Sequence, residues 1–509
     1  MTCFILAKNS PIESLNFNTS STLVSNKTVY TIPVVWHVFT PLANPTSYPE
    51  DLIHDALAKL NADFNNKNVT SVTFNFVLAK IDPEGRCTSG ITYHDSPLVG
   101  SLSPVYDVPL KNAVHWDNSR YLNIYQVPEI VDYQGQPTTF HGYTIQPCIP
   151  RQYQTSFQGF DCSLAGSTPG FDERDGVVID DGYLQGLTHE VGHWLGLFHT
   201  WGPDSYSPLI YPWWTQCGGN CEANGDFICD TNPMQSYGGQ GTCHENTCDP
   251  NDDFIDPTEN FMSYSDLCWN TFTANQYEKM LEILDIWRPD IHSLVNLEAT
   301  GVINFVDNIF CTGSGVTCFY SVFNLPNNGK IRTGNIYVSN GAHLIIDDEV
   351  EIKMCKGSYV YIDKGGKFEL RGKLTGDSPG IWDGIIVEGT LTSTSNQATF
   401  KGVSGSIVEN AKTGVKVMNT YGHKFGKLEL NGVTFNNNFT GVKMVSGSDY
   451  DFETEIKNCQ FTNNVGGIQS FIELEKSLDV YIIDCDFTNT YTGSVLGQNL
   501  VVIFTGKSA

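Results

Sequence analysis

His189-Glu190-Val191-Gly192-His193-Trp194-Leu195-Gly196-Leu197-Phe198-His199 fits the pattern HExxHxxGxxH. On a helix, His189 and His193 stand at i and i+4, so both imidazoles project from one face and can reach one Zn²⁺. Gly196 can take a backbone conformation closed to residues with a Cβ, which ends the helix and brings His199 round as a third ligand. Three neutral ligands leave a fourth position for water, the mark of a catalytic rather than a structural zinc site. Glu190, beside the first ligand, can reach a zinc-bound water, take its proton as general base and pass it to a departing amine. Of the 12 histidines in the chain, three fall within these eleven residues. A chance match from this composition is on the order of 3 in 100,000. The alternative, a core helix whose histidines pair with carboxylates, explains neither Glu190 nor Gly196.

Such a motif needs a scaffold, and the flanking sequence supplies the pattern of one. Thr31 to Thr40 (TIPVVWHVFT) reads as a buried strand, and Val72, Phe74, Phe76 and Leu78 alternate as in a half-buried one. Between them, Leu52, Ile53, Ala56, Leu57, Leu60 and Phe64 recur at helical spacing. Tyr121 to Val127 and Gly176 to Ile179 are further strands, and strands alternating with helices predict an α/β domain. Residues 200–260 are rich in Gly, Asn, Asp, Pro and Cys without periodicity, a long irregular stretch that is either functional or pinned by crosslinks. Thr273-Ala274-Asn275-Gln276 is a capping box opening a helix, with Tyr277, Met280, Leu281, Leu284 and Trp287 on its inner face and Pro289 at its end.

The stretch Gly186 to Trp201 around the histidines resembles the metzincin zinc peptidases, and within them the pappalysin-like branch. Asn260-Phe261-Met262-Ser263-Tyr264-Ser265 is similar to the Met-turn of that family. Weaker likenesses lie at Ile32-Pro33-Val34-Val35, Tyr121-Leu122-Asn123-Ile124, Asp175-Gly176-Val177-Val178, Gly225 to Thr231 and Phe272 to Gln276. The resemblance covers about residues 30–290 and implies a zincin-like α/β (α+β) metzincin fold and zinc-dependent cleavage of a protein or peptide substrate. It implies that Met262 underlies the zinc histidines and that Tyr264 binds the oxyanion of the tetrahedral intermediate. It also implies two disulfides and bound calcium in the loop after His199: Cys243 with Cys268, and Cys248 with Cys217 or Cys221, Cys229 being additional. Asp226, Asp230, Asp252, Asp253 and Asp256 could supply oxygen ligands for Ca²⁺; a solvated acidic loop is the alternative. Gly142-Tyr143-Thr144-Ile145 is the expected edge strand that aligns a peptide by β-augmentation.

Beyond about residue 300 helical periodicity gives way to short apolar runs that repeat. Phe435, Phe461 and Phe487 are 26 apart, as are Gly441, Gly467 and Gly493, Asn437, Asn463 and Asn489, and Val433, Cys459 and Cys485. Val408 and Gly414 extend the pattern upstream. A period near 26 with several short strands per copy predicts a right-handed parallel β-helix; propeller blades run to about 40–45 residues. The Phe column should stack inside, the Asn column should form an amide ladder at a turn, and Cys459 and Cys485 should sit as an apolar ladder rather than a disulfide. The expected organisation is a lead-in over 1–29, the peptidase domain over 30–292, a linker over 293–330 and β-helix repeats over 331–509.

Composition narrows the function further. The 29 basic against 56 acidic residues give a formal net charge of −27, which disfavours nucleic-acid partners. No stretch reaches the ~18 apolar residues of a membrane span. Fifteen cysteines, ten of them from Cys3 to Cys268, predict disulfides and a secreted protein. Met1 to Leu6 has neither a basic n-region nor an apolar core, so an export signal is expected to be missing from this chain. Two rival functions stand beside this one. One is a surface adhesin acting through the β-helix, against which the intact Glu190 speaks. The other is a polysaccharide-degrading β-helix enzyme, which needs clustered acids where residues 330–509 show no carboxylate column. The β-helix is expected to hold the peptidase on a surface, glycan or substrate.

Overall fold

The computed structural model describes residues 28–505 except 41–48, 67–71, 96–106, 133, 135, 137, 139–140, 150–159, 162–174, 203–216, 218–220, 222–223, 236–242, 244–245, 249–254, 390–395, 419–425, 445–453, 467–469, 476–479 and 492–501. The lead-in expected over residues 1–29 therefore lies almost wholly outside the described residues. Two compact units emerge: one runs to Lys80 and from Thr88 to Val302, the other holds Ile81–Cys87 and the chain from Ile303 onward.

The first unit is built on a mixed sheet. Its elements are β1 (Thr28–Thr40), α1 (Glu50–Asn65), β2 (Val72–Leu78), β3 (Ile91–Asp95), α2 (Asp107–Val114), β4 (Leu122–Val127) and β5 (Gly142–Thr144). They are followed by the two-residue pair β6 (Cys148–Ile149) and β7 (Phe160–Asp161), then β8 (Val177–Asp180), α3 (Leu187–Trp194), α4 (Ala274–Glu282) and α5 (Leu294–Ala299). The strand order is β2-β1-β4-β8-β5, with β3 also paired to β1; all pair in parallel except β5, which closes the edge antiparallel to β8. Parallel strands are covered on both faces and therefore read as unbroken apolar runs. In β1, Val34, Trp36 and Val38 pack with α1, α3 and α4, whereas Phe39 faces the opposite layer with Leu110 of α2. The α1 stripe buries Ile53, Ala56, Leu57, Leu60 and Phe64 as its spacing predicts; Leu52 instead points to solvent, one position off the buried face. The capping box at Thr273 and Gln276 forms, and five residues of π-helix (Ile283–Trp287) follow α4.

The second unit is a parallel β-helix. Three all-parallel sheets of eight, seven and eight strands run along it. One interior column joins Ile331, Ile352, Leu374, Val408, Phe435, Phe461 and Phe487 in successive coils. Its three phenylalanine rings stack 5.0 and 5.1 Å apart, nearly parallel, so the 26-residue step does place like on like. Other columns depart from that step. Gly441 lies beside Phe471, because Thr440 and Val442 pair with Ser470 and Ile472; Gly467 and Gly493 lie outside the described residues. Asn463 donates to Asn489 at 3.0 Å, but Asn437 sits in a left-handed turn (φ 54°) and accepts from the Asn464 amide instead, so the ladder is partial. Cys459 and Cys485 are free thiols, and burial pushes Cys459 up to about 11.

Where no carboxylate column was expected, a column of three acids interrupted by a lysine stands. Glu369, Lys401, Glu429 and Glu455 lie one above another on an outer face. Coil lengths vary, from 21 residues between Ile331 and Ile352 to 34 between Lys373 and Ile407, so a fixed-period reading misses it. Each acid has a basic neighbour: Glu369 binds Arg371 and Lys401, Glu429 binds Lys427, and Glu455 binds Lys457.

The β-helix unit closes two disulfides, Cys311–Cys318 and Cys87–Cys355. The second spans 268 residues of chain and joins Ile81–Cys87, which lies in sequence between parts of the first unit, to the coils. A single cut introduced beside Val302 should therefore leave both pieces running as one species on a non-reducing denaturing gel. Reductant, or Cys355→Ser, should separate them; separation of the wild-type pieces without reductant would show the bond is not formed.

Candidate metal centre and substrate cleft

α3 carries His189 and His193 on one face, and the helix stops where Gly196 enters the left-handed region (φ +85°). A Cβ there would also lie 2.8 Å from Ile283 Cγ1, so both the conformation and the packing require glycine. The returning chain presents His199. His193 Nε2 lies 3.1 Å from Nε2 of both His189 and His199. Two nitrogens each about 2.0–2.1 Å from one tetrahedral zinc would be about 3.3 Å apart, so the three side chains fit that ion with little adjustment.

The tautomers fit as well. His189 Nδ1–H donates to the Phe261 carbonyl at 2.6 Å, and His193 Nδ1–H to the Leu197 carbonyl at 2.8 Å. Those bonds leave the Nε2 lone pairs aimed at a common point, the usual arrangement behind metal-binding histidines. Burial, then the neighbouring His193 and His199, hold His189 well below the ordinary imidazole range. Among the described residues this triad is the only group of His, Cys, Asp or Glu close enough to share one ion.

Below the histidines runs the turn at 260–265. Met262 is fully buried, and its Sδ comes so close to Gly192 that a Cβ there would sit 2.4 Å from it. The turn is anchored through Asn260, whose side-chain amide exchanges hydrogen bonds with that of Gln276 at 2.8 and 3.1 Å. Gln276 thus closes the α4 capping box and holds the Met262 turn together. Two residues on, Tyr264 is 38% exposed and stands edge-on to His199 and Trp201, with ring centroids 4.8 and 4.5 Å away. Trp201 stacks on His199 and Trp269 on His189, with Trp269 Nε1 donating to Ser263 O at 3.0 Å. Neither tryptophan was singled out from sequence, although Trp201 lies two residues past the last histidine.

Glu190 lies under the edge strand. Its Oε2 is buried with no hydrogen-bond partner, and burial raises the carboxyl to about 8, opposed in part by the Thr144 hydroxyl. Gly142 passes so close that a Cβ there would be 2.9 Å from Glu190 Cγ and Oε1. Among the described residues β5 is the edge of the sheet, as expected of 142–145, and beyond it Gln146 Nε2 donates to the same Leu197 carbonyl that holds His193.

In the loop after His199, Cys243–Cys268 and Cys217–Cys248 are bonded and Cys229 pairs with Cys221. Asp226 accepts from Ile228 N and Thr231 Oγ1 and is pushed up to about 7 by burial. Asp256 accepts from Thr247 and Asp230 from Asn275 N, while Asp252 and Asp253 lie outside the described residues.

Behind α3, Arg288 and Asp175 form a buried two-point ion pair, both contacts 2.8 Å, and the guanidinium lies 4.3 Å over the Trp194 ring. Trp194 follows His193, so this pair braces α3 against the start of β8. Removing one partner of such a pair strands the other charge, and Arg288→Ala should lose about 3–5 kcal/mol of stability in denaturant unfolding. A loss under about 1 kcal/mol would mean the pair braces nothing.

Residues 178–285 match the Peptidase_M43 family, described as pregnancy-associated plasma protein-A. An extracellular metalloprotease of Colletotrichum graminicola is 25% identical over 267 residues, 51% of this chain and 77% of that protein. Extracellular metalloprotease 1 of Coccidioides posadasii is 34% identical over 149 residues, 29% of this chain and 45% of that protein. Mature mirolysin of Tannerella forsythia, solved with a cleaved peptide, is 26% identical with a TM-score of 0.40, covering 54% of this chain and 98% of that one. With the family match and the fungal relatives set beside the fold, the chain is a pappalysin-type metalloendopeptidase that ends in a parallel β-helix.

Proposed function

We propose that His189, His193 and His199 hold one zinc ion through Nε2 and that the chain is a secreted endopeptidase with Glu190 as its general base. The observation that carries this is the convergence of three Nε2 atoms whose Nδ1 protons, for two of them, are already committed to backbone carbonyls. Zinc held there supplies Lewis acidity toward the scissile carbonyl and makes water a better nucleophile at neutral pH. Glu190, with Oε2 otherwise unpartnered, takes the proton of the attacking water and returns it to the leaving amine. The Tyr264 hydroxyl donates to the carbonyl oxygen as negative charge builds on it.

The peptide lies along β5. Asp180 N donates to His141 O, so the hydrogen-bonded pairs of the β5–β8 ladder fall at 141 and 143. Gly142 and Thr144 then turn their N–H and C=O toward the open edge, where an extended peptide can pair. Secretion is supported by the disulfides and by relatives named as extracellular. No described helix is long and apolar enough to cross a membrane. The β-helix holds the peptidase on a surface, glycan or substrate.

Metal analysis tests this reading. The purified protein should carry one zinc per chain, His193→Ala should lose it, and peptide cleavage should stop with chelator and return with zinc. Cleavage that persists in metal-free protein would refute it.

A further inference from the structure

We infer that His141 and Asp180 form a positioning clamp that sets the edge strand over Glu190; as a role in peptide cleavage it rests on the function proposed above. The two residues are joined twice. Asp180 N donates to His141 O at 2.9 Å, and His141 Nδ1–H donates to Asp180 Oδ2 at 2.7 Å. The Asp180 side chain is only 9% exposed and its other oxygen accepts from Gly182 N at 3.0 Å, so the carboxylate cannot turn away. Although the His141 side chain is 48% exposed, its ring is also fixed by Tyr183, 5.2 Å between centroids. A half-exposed histidine held on two sides is doing more than covering surface.

What it holds is the residue next in chain. Gly142 rests on the Glu190 carboxyl with no room for a Cβ, and its outward main-chain groups begin the open edge. β5 has only three residues, and among the described residues its single neighbour in the sheet is β8. So short an edge strand has few bonds of its own to fix its register. The clamp at its first turn therefore decides where the peptide's main chain lies relative to Glu190. Because the His141 ring is half exposed and Asp180 keeps its bond from Gly182 N, losing the ring should leave the fold and the histidine triad intact.

The test compares His141→Ala and His141→Asn with the wild type. Asparagine keeps an N–H close to the place of Nδ1 and should restore wild-type behaviour; alanine should not. In His141→Ala, amide hydrogen exchange at Tyr143 should quicken, while zinc content and unfolding midpoint stay unchanged. KM for an eight-residue peptide should rise about five- to tenfold, the worth of one or two main-chain hydrogen bonds, while a tripeptide too short to pair along the edge is cleaved as before. Unchanged exchange in His141→Ala would overturn the clamp whatever the activity, as would faster exchange with unaltered kinetics on the long peptide. If exchange quickens but zinc-loaded wild type cleaves neither peptide, the clamp on the strand stands and the peptidase reading is what falls.

Discussion

Glu190→Gln should keep one zinc per chain and lose about 10²–10⁴ in peptide turnover, the usual worth of a general base. Glutamine has nearly the shape of the carboxyl it replaces, so the close passage of Gly142 over this side chain is preserved. What disappears is the basic oxygen. Oε2 is buried and makes no hydrogen bond, so it is the acceptor left over for a proton from water. The glutamine amide cannot accept and release that proton, and the one described neighbour that acts on the Glu190 carboxyl, the Thr144 hydroxyl, is too weak a base to replace it. The ligands proposed for the metal are His189, His193 and His199, so zinc stoichiometry should not move. Retained turnover in a zinc-loaded variant would show the base to be wrongly assigned, and loss of zinc would make Glu190 a ligand instead.

Tyr264→Phe should stay folded and zinc-loaded and lose at least about tenfold in kcat, toward the 10²–10³ of a lost oxyanion donor. The ring packs edge-on against His199 and Trp201, contacts that phenylalanine keeps. The substitution therefore removes a hydroxyl and little else. Water attack on a peptide carbonyl builds negative charge mainly in the transition state, so kcat should fall more than KM rises. A tyrosine serving only as packing would leave turnover at the wild-type level in a folded variant, and that result would remove its catalytic role. A tyrosine serving as a ligand would show as lost zinc.

The histidine motif was legible because its chemistry is local: i and i+4 on a helix, one glycine and three further residues specify where three imidazoles go. The capping box at Thr273 is local in the same sense, and its predicted bonds form. Local patterns carry their own geometry, since the backbone between their members has few conformations. The Phe column was legible because a β-helix stacks residues at a repeating interval, and two successive coils there share the same length. Where coils differ in length the interval fails, which is why the Glu369–Glu455 column and the partner of Gly441 were not foreseen.

By itself, then, the sequence determined the histidine triad, the candidate base, the order of an α/β peptidase and a β-helix, and the interior repeat. Tertiary structure decided the rest. Gln276 binds Asn260 across 16 residues, Arg288 reaches Asp175 across 113, and Cys87 meets Cys355 across 268. No spacing rule links such pairs, because each depends on where whole elements pack rather than on the pitch of one. The same holds for Gly142 against Glu190: a glycine in a three-residue strand carries no signal until the fold sets a carboxyl beneath it. Periodicity reports the face a residue takes on its own element, whereas its partner on another element is chosen by burial and packing of the whole chain.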